Sequence, residues 1–168
     1  MVWKIVISLL VLLGAFLIGY WVRRQGIPHA DRIVIWKAER KMTLYKNSET
    51  LKTYRIVLGF EPNGAKHFEG DGKTPEGKYF ISEHNPKSSY HLSLRISYPD
   101  SKDTAYAAQA NLPAGGDIMI HGLPNEANPE DSKYTAKDWT LGCIAVTNRE
   151  IDEIYRQVPD GTPIEILP

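Results

Sequence analysis

A run of 18 uncharged residues at 5–22, IVISLLVLLGAFLIGYWV, constrains this chain more than any other feature. Coiled as a helix at about 1.5 Å per residue it spans roughly 27 Å, close to the thickness of a bilayer core. Trp3, Tyr20 and Trp21 flank it where interfacial aromatics belong. The run is longer than the roughly 7–15 apolar residues of a signal peptide, and no A-x-A-like cleavage site follows it. It is apolar on every face, unlike an ordinary core helix. The expectation is therefore an uncleaved N-terminal transmembrane helix with its flank over residues 1–26, a short linker over 27–31 stiffened by Pro28, and one domain over 32–168.

The formal charge of zero, from 20 basic and 20 acidic side chains, hides this division. Lys4, Arg23 and Arg24 belong to the anchor, so the remainder carries 17 basic and 20 acidic side chains, a formal charge of −3. No basic surface suited to a nucleic-acid partner is expected from that balance. A single cysteine excludes an internal disulfide framework and a multi-thiolate zinc site. No H-E-x-x-H spacing occurs either, so neither a metal nor a cofactor is expected. Charge flanking the anchor leans toward a cytoplasmic C-terminal side without deciding the matter.

The domain reads as mainly β. Strands are expected at 32–36 (RIVIW), 42–45, 50–59, 77–83 and 91–98, the last alternating over eight residues (HLSLRISY). A short strand at 117–121 ends on His121, and a final one covers 162–167. Helices are expected at 101–111, capped by Ser101, and at 148–158, capped by Asn148. The latter places Ile151, Ile154, Tyr155 and Val158 on one face. The polar stretch 125–137 reads as a loop or cleft wall.

Cys143 follows Gly142 and precedes apolar Ile144 and Val146; His121 ends its strand and is followed by Gly122. Each residue alone has an ordinary structural reading, a buried filler and a strand-end hydrogen-bonder. Together they offer what thiol acyl transfer requires. A thiol near pKa 8.5 needs a base, the imidazole needs a partner to orient it, and backbone N–H groups beside Gly142 and Cys143 can meet an oxyanion.

The strings EGDGKTPEGKY (69–79), IHG (120–122) and TLGCIAVTN (140–148), in that order, resemble the L,D-transpeptidase catalytic domain, or YkuD domain, and within it the YafK-like branch. The resemblance runs from about residue 33 to 167. It implies a β-sandwich-like fold with one or two short helices and a covalent thioester mechanism. Cys143 matches the nucleophile, His121 the base, and Gly122 the position whose carbonyl orients that histidine. Gly142, Thr140 and Asn148 match the other motif positions, assigned with Trp139 to oxyanion or substrate binding. Many members carry His and Arg where this chain has Leu141 and Ala145, and that arginine suits a substrate carboxylate.

By this resemblance the partners are peptidoglycan stem peptides, with a protein amine acceptor or a covalently attached protein as further candidates. The implied setting is the inner membrane, single pass, with the domain in the periplasm. Transpeptidation is the first expectation. An amidase releasing peptide or attached protein from peptidoglycan is the second, and an inactive cell-wall-binding module is the rival from another class.

Overall fold

The computed structural model describes residues 27–129 and 132–168. The expected anchor at 1–26 lies outside the described residues, among which no helix is long and apolar enough to cross a membrane. Within the expected linker, Ala30 is buried and its N–H donates to the Gln157 carbonyl at 2.7 Å.

Eight strands form one sheet in the order β3-β2-β1-β8-β4-β5-β6-β7. They are β1 (Arg32–Trp36), β2 (Lys41–Lys46), β3 (Glu49–Arg55), β4 (Gly77–Asn85), β5 (Ser93–Ile96), β6 (Met119–His121), β7 (Ile144–Ala145) and β8 (Pro163–Leu167). The hairpin β2–β3 turns at Asn47 and Ser48, both at positive φ. The terminal strand β8 inserts between β1, to which it is parallel, and β4, to which it is antiparallel.

The expected sandwich is realised as a single curled sheet. Residues 77–80 of β4 pair with β8, and residues 81–85 pair with β5 across a register shift between Ile81 and Glu83. One strand thus serves both halves, and the sheet turns its corner there. At the far ends of the order, Val57 bridges Ala145 and Gly59 bridges Thr140, so the curl meets itself. For this reason the expected strand 50–59 stops at Arg55: Ile56 N–H donates to the Arg40 carbonyl, and Val57 crosses to β7.

The inward residues fill the curl. Ile33, Ile35, Met42 and Leu44 from one half meet Ile81, Leu94, Ile96, Ile120 and Ile144 from the other, all essentially unexposed. Each such side chain contributes about 1.5–3 kcal/mol by leaving water. Among the described residues three helices accompany the sheet: α1 (Ser101–Gln109), α2 (Lys133–Ala136) and α3 (Asn148–Gln157). The caps fall one residue earlier than expected, at Asp100 and Thr147, each in a reciprocal box with the residue three positions on. The amphipathic face of α3 buries Ile151 and Ile154 over β5 and β6.

A buried lysine ties the long 60–76 loop to the sheet. Lys37, just past β1, is 2% exposed, and its ammonium donates to the Gly64 carbonyl (2.6 Å), the Thr74 carbonyl (2.9 Å) and Glu76 Oε1 (2.8 Å). Burial draws its pKa down, while Glu76 opposes that shift. With all three N–H groups engaged, the charge is compensated and the loop is held where its turn approaches Cys143.

Candidate active site

Strand register brings His121 and Cys143 to one face. β6 and β7 are parallel, with Ile120 opposite Ile144 and His121 opposite Ala145. Side chains alternate along a strand, so Ile120 and Ile144 both turn into the core while His121 faces the other way, into a cleft that Cys143, just before β7, also lines. The cleft measures about 830 Å³, and its wall also includes Lys66, Tyr90, Trp139 and Thr140.

His121 is only 3% exposed. Its Nδ1 lies 2.6 Å from the Gly122 carbonyl, which fixes the tautomer with Nδ1–H donating and leaves Nε2 for chemistry. Tyr90 tilts against the ring at 4.5 Å, and Trp139 meets it edge-on at 5.9 Å. Burial among these groups lowers the imidazole pKa to about 4, with the Gly122 carbonyl pulling the other way. The imidazole is therefore neutral, and a base, at pH 7.

The Cys143 thiol is pushed up by burial and by Asp117. A hydrogen bond from the Met119 backbone and the charge of Lys66 draw it down without overcoming the burial. Sγ lies 3.5 Å from the Asp117 carbonyl, to which the thiol donates. The resting pair is thus thiol and neutral imidazole rather than thiolate and imidazolium.

The turn that presents Cys143 is braced from within. Thr140, 3% exposed, donates from Oγ1 to the Cys143 carbonyl (2.7 Å) and accepts from Gly142 N–H (3.1 Å). That amide is therefore engaged by Thr140 in this structure. Gly142 has φ +127°, and a Cβ there would stand 2.5 Å from the Lys73 carbonyl oxygen. Only glycine fits such a backbone approach.

Asn148 also supports the site rather than facing the cleft. Its Oδ1 accepts from Leu123 N–H at 2.8 Å, holding the turn whose Gly122 carbonyl orients His121. A Cβ on Gly122 would lie 2.6 Å from that same oxygen. Trp139 does line the cleft; its indole N–H donates to the Tyr134 carbonyl at 3.1 Å. Ala145 is buried, whereas Leu141 on the cleft rim is 75% exposed.

Sequence reasoning missed several contributors. Tyr90 sits in the loop before β5, Lys66 in the loop after β3, and neither belongs to a motif. Arg40 grips Asp138 through Nε (3.0 Å) and Nη2 (2.7 Å) to Oδ2, and Asp138 Oδ1 also accepts from Leu58 N–H at 2.8 Å. That network fixes the approach to Trp139 and Thr140. Its one sequence signal was Asp138 lying beside Trp139.

Known proteins resemble this chain in sequence and in fold. YafK of Escherichia coli (strain K12) is 31% identical over 132 residues, 75% of this chain and 46% of that protein. The chain therefore spans about half the length of that relative. YkuD of Bacillus licheniformis is 26% identical over 152 residues, 85% of this chain and 72% of that protein. Among solved structures, the helical cell shape determining protein Pgp2 from Campylobacter jejuni superposes with a TM-score of 0.62 at 24% identity, covering 83% of this chain and 48% of that one. An L,D-transpeptidase from Mycobacterium smegmatis gives 0.55 at 15% identity, covering 83% and 59%. At such identities the structures speak for the fold. The family model for the L,D-transpeptidase catalytic domain, YkuD, matches residues 30–166, and by that match the chain belongs to the YkuD family.

Proposed function

We propose that this domain is a cysteine acyltransferase that acts on peptidoglycan stem peptides through a thioester acyl-enzyme. The observation that carries the reading is the pairing of β6 with β7, which sets neutral His121 and Cys143 on one face of one cleft, with Nδ1 held by Gly122. Family membership supplies the substrate class.

In the acylation step the Cys143 proton passes to His121 Nε2 as Sγ attacks a donor carbonyl and the S–C bond forms. The tetrahedral centre collapses, the C–N bond breaks, and His121 returns the proton to the departing amine. An acceptor amine or water then attacks the thioester, loses a proton to His121, and releases the sulfur, which recovers the proton. A base with pKa about 4 is a weak proton acceptor, and a raised thiol is a reluctant donor. Proton transfer concerted with attack avoids forming the free ion pair that these directions disfavour.

An amine acceptor gives transpeptidation, whether a second stem peptide or a protein; water gives release of peptide or attached protein. The domain would work in the periplasm, held to the inner membrane by residues 1–26.

Intact-mass spectrometry of the protein mixed with a stem-peptide donor or a carbapenem tests the covalent step. Wild type is expected to gain one adduct mass and Cys143→Ala none. Absence of an adduct where another family member forms one would sink the proposal. Digestion of purified sacculi then reads the acceptor: new cross-linked muropeptides indicate transfer, and released peptide or protein without them indicates hydrolysis.

A further inference from the structure

The wall of the cleft contains a lysine that the acyl-transfer chemistry does not use. Lys66 is 4% exposed, yet it lines the same cleft as His121 and Cys143. Its ammonium donates to the Phe68 carbonyl (2.8 Å) and to Asp71 Oδ1 (2.8 Å). An ammonium has three N–H donors, so one is left without an assigned partner among the described residues.

Asp71 pairs with that charge at 2.8 Å, and the lysine is only one of the donors that hold it. The carboxylate also accepts from the backbone N–H groups of His67 (2.7 Å), Phe68 (3.0 Å) and Lys73 (3.0 Å), so its negative charge is shared among four donors. Other charges around the cleft are weaker candidates for holding an anion. Lys87 is exposed on the rim, where an ion pair contributes little. Glu69 and Asp117 are acidic, and Asp117 is taken by Arg95 at 2.7 Å. An ammonium with an N–H to spare in a largely desolvated wall is suited to one kind of ligand group, an oxyanion able to take a charge-assisted hydrogen bond.

We infer that Lys66 is the anion anchor of the cleft and receives a carboxylate of the bound donor peptide, fixing which carbonyl lies over Cys143. This deepens the acyl-transfer reading and rests on it for the identity of the donor. Electrostatics agree with the geometry, since Lys66 also draws on the Cys143 sulfur from where it stands. The ordinary alternative is that Lys66 and Asp71 only fasten the loop.

Calorimetry on the Cys143→Ala protein separates binding from chemistry. The probes are a stem-type peptide ending in a D-residue as the free acid, and the same peptide as its C-terminal amide. The acid is expected to bind roughly tenfold or more tighter than the amide. Adding Lys66→Gln should remove that preference while leaving amide affinity within about threefold. Asp71→Asn, which keeps the lysine charge and weakens its partner, should retain the preference for the acid. Equal affinity of acid and amide, no binding of the acid, or a Lys66→Gln loss equal for both probes would overturn the anchor. If the acid preference holds but the wild type never forms an adduct, the proposed reaction fails while the anchor stands.

Discussion

Thr140 offers the sharpest test of how the nucleophile is held. Its hydroxyl is the crossing point of two hydrogen bonds, accepting from Gly142 N–H and donating to the Cys143 carbonyl. Thr140→Val keeps the branched shape and removes both. A stranded buried donor or acceptor costs about 1–3 kcal/mol. The bond to Gly142 is buried, so its N–H bears the full penalty; the Cys143 carbonyl is only partly buried and bears less. The sum is a loss of about 2–4 kcal/mol in unfolding free energy, read from guanidinium denaturation. Thr140→Ser retains the hydroxyl and loses one methyl, about 0.8 kcal/mol. Intact-mass kinetics give a second readout. With the turn unpinned, acylation by Thr140→Val should slow roughly 10- to 100-fold, the scale of a misplaced reacting atom. The reasoning fails if Val is within about 0.5 kcal/mol of wild type and acylates at the same rate, or if Ser is as damaging as Val.

Three further outcomes follow from the site. His121 has a folded-state pKa of about 4 against 6.5 for the free side chain. The unfolded chain therefore binds more protons between those values, and stability falls as pH drops from 6.5 to 4, by roughly 3 kcal/mol in all. His121→Gln should flatten that part of the pH–stability curve; an unchanged slope would refute the assignment. Because burial raises the Cys143 thiol, alkylation by a neutral reagent should still be accelerating past pH 9, and a plateau below pH 7 would indicate an ion pair instead. Gly122→Ala sets a methyl 2.6 Å from Asn148 Oδ1, so it should cost about 1–3 kcal/mol and abolish the adduct, with crystallography expected to find the 122–123 turn displaced.

Local pattern made much of this legible. Alternation in HLSLRISY located β5, although His91 adopts φ 66° and leaves the strand to begin at Ser93. The spacing of Ile151, Ile154 and Val158 located α3, and His121 and Cys143 stood out through their glycine neighbours. Long-range pairing left no such trace. Nothing in residues 50–59 marks Arg55 as the last ladder residue, because the stop is set by Val57 meeting Ala145. The short α2 has no side-chain cap, so 125–137 read only as a polar loop. Asn148 looked like a helix cap or a substrate ligand, whereas its partner is Leu123 in a distant turn. Tyr90 and Lys66 reach the cleft from separate loops, and a buried lysine is indistinguishable from a solvated one until its carbonyl partners are in place.

The meeting of the sheet's two ends bears on how the nucleophile comes to be placed. Val57 and Ala145 exchange both backbone hydrogen bonds, Phe60 N–H reaches Thr140, and Leu58 accepts from Trp139 and Thr140. Leu58 and Asp138, joined in the same zipper, are 80 residues apart. Contacts of such separation carry the largest loop-closure cost and form after local hairpins. Cys143 lies within this seam, whereas its general base sits on β6, which is also held by β5. A chain with the β2–β3 hairpin made but the seam open would keep the local Thr140 brace while its Cys143 turn stood unattached to residues 57–60. Closing the seam is what fixes that turn against residues 57–60, so the placement of the nucleophile depends on the two ends of the sheet meeting.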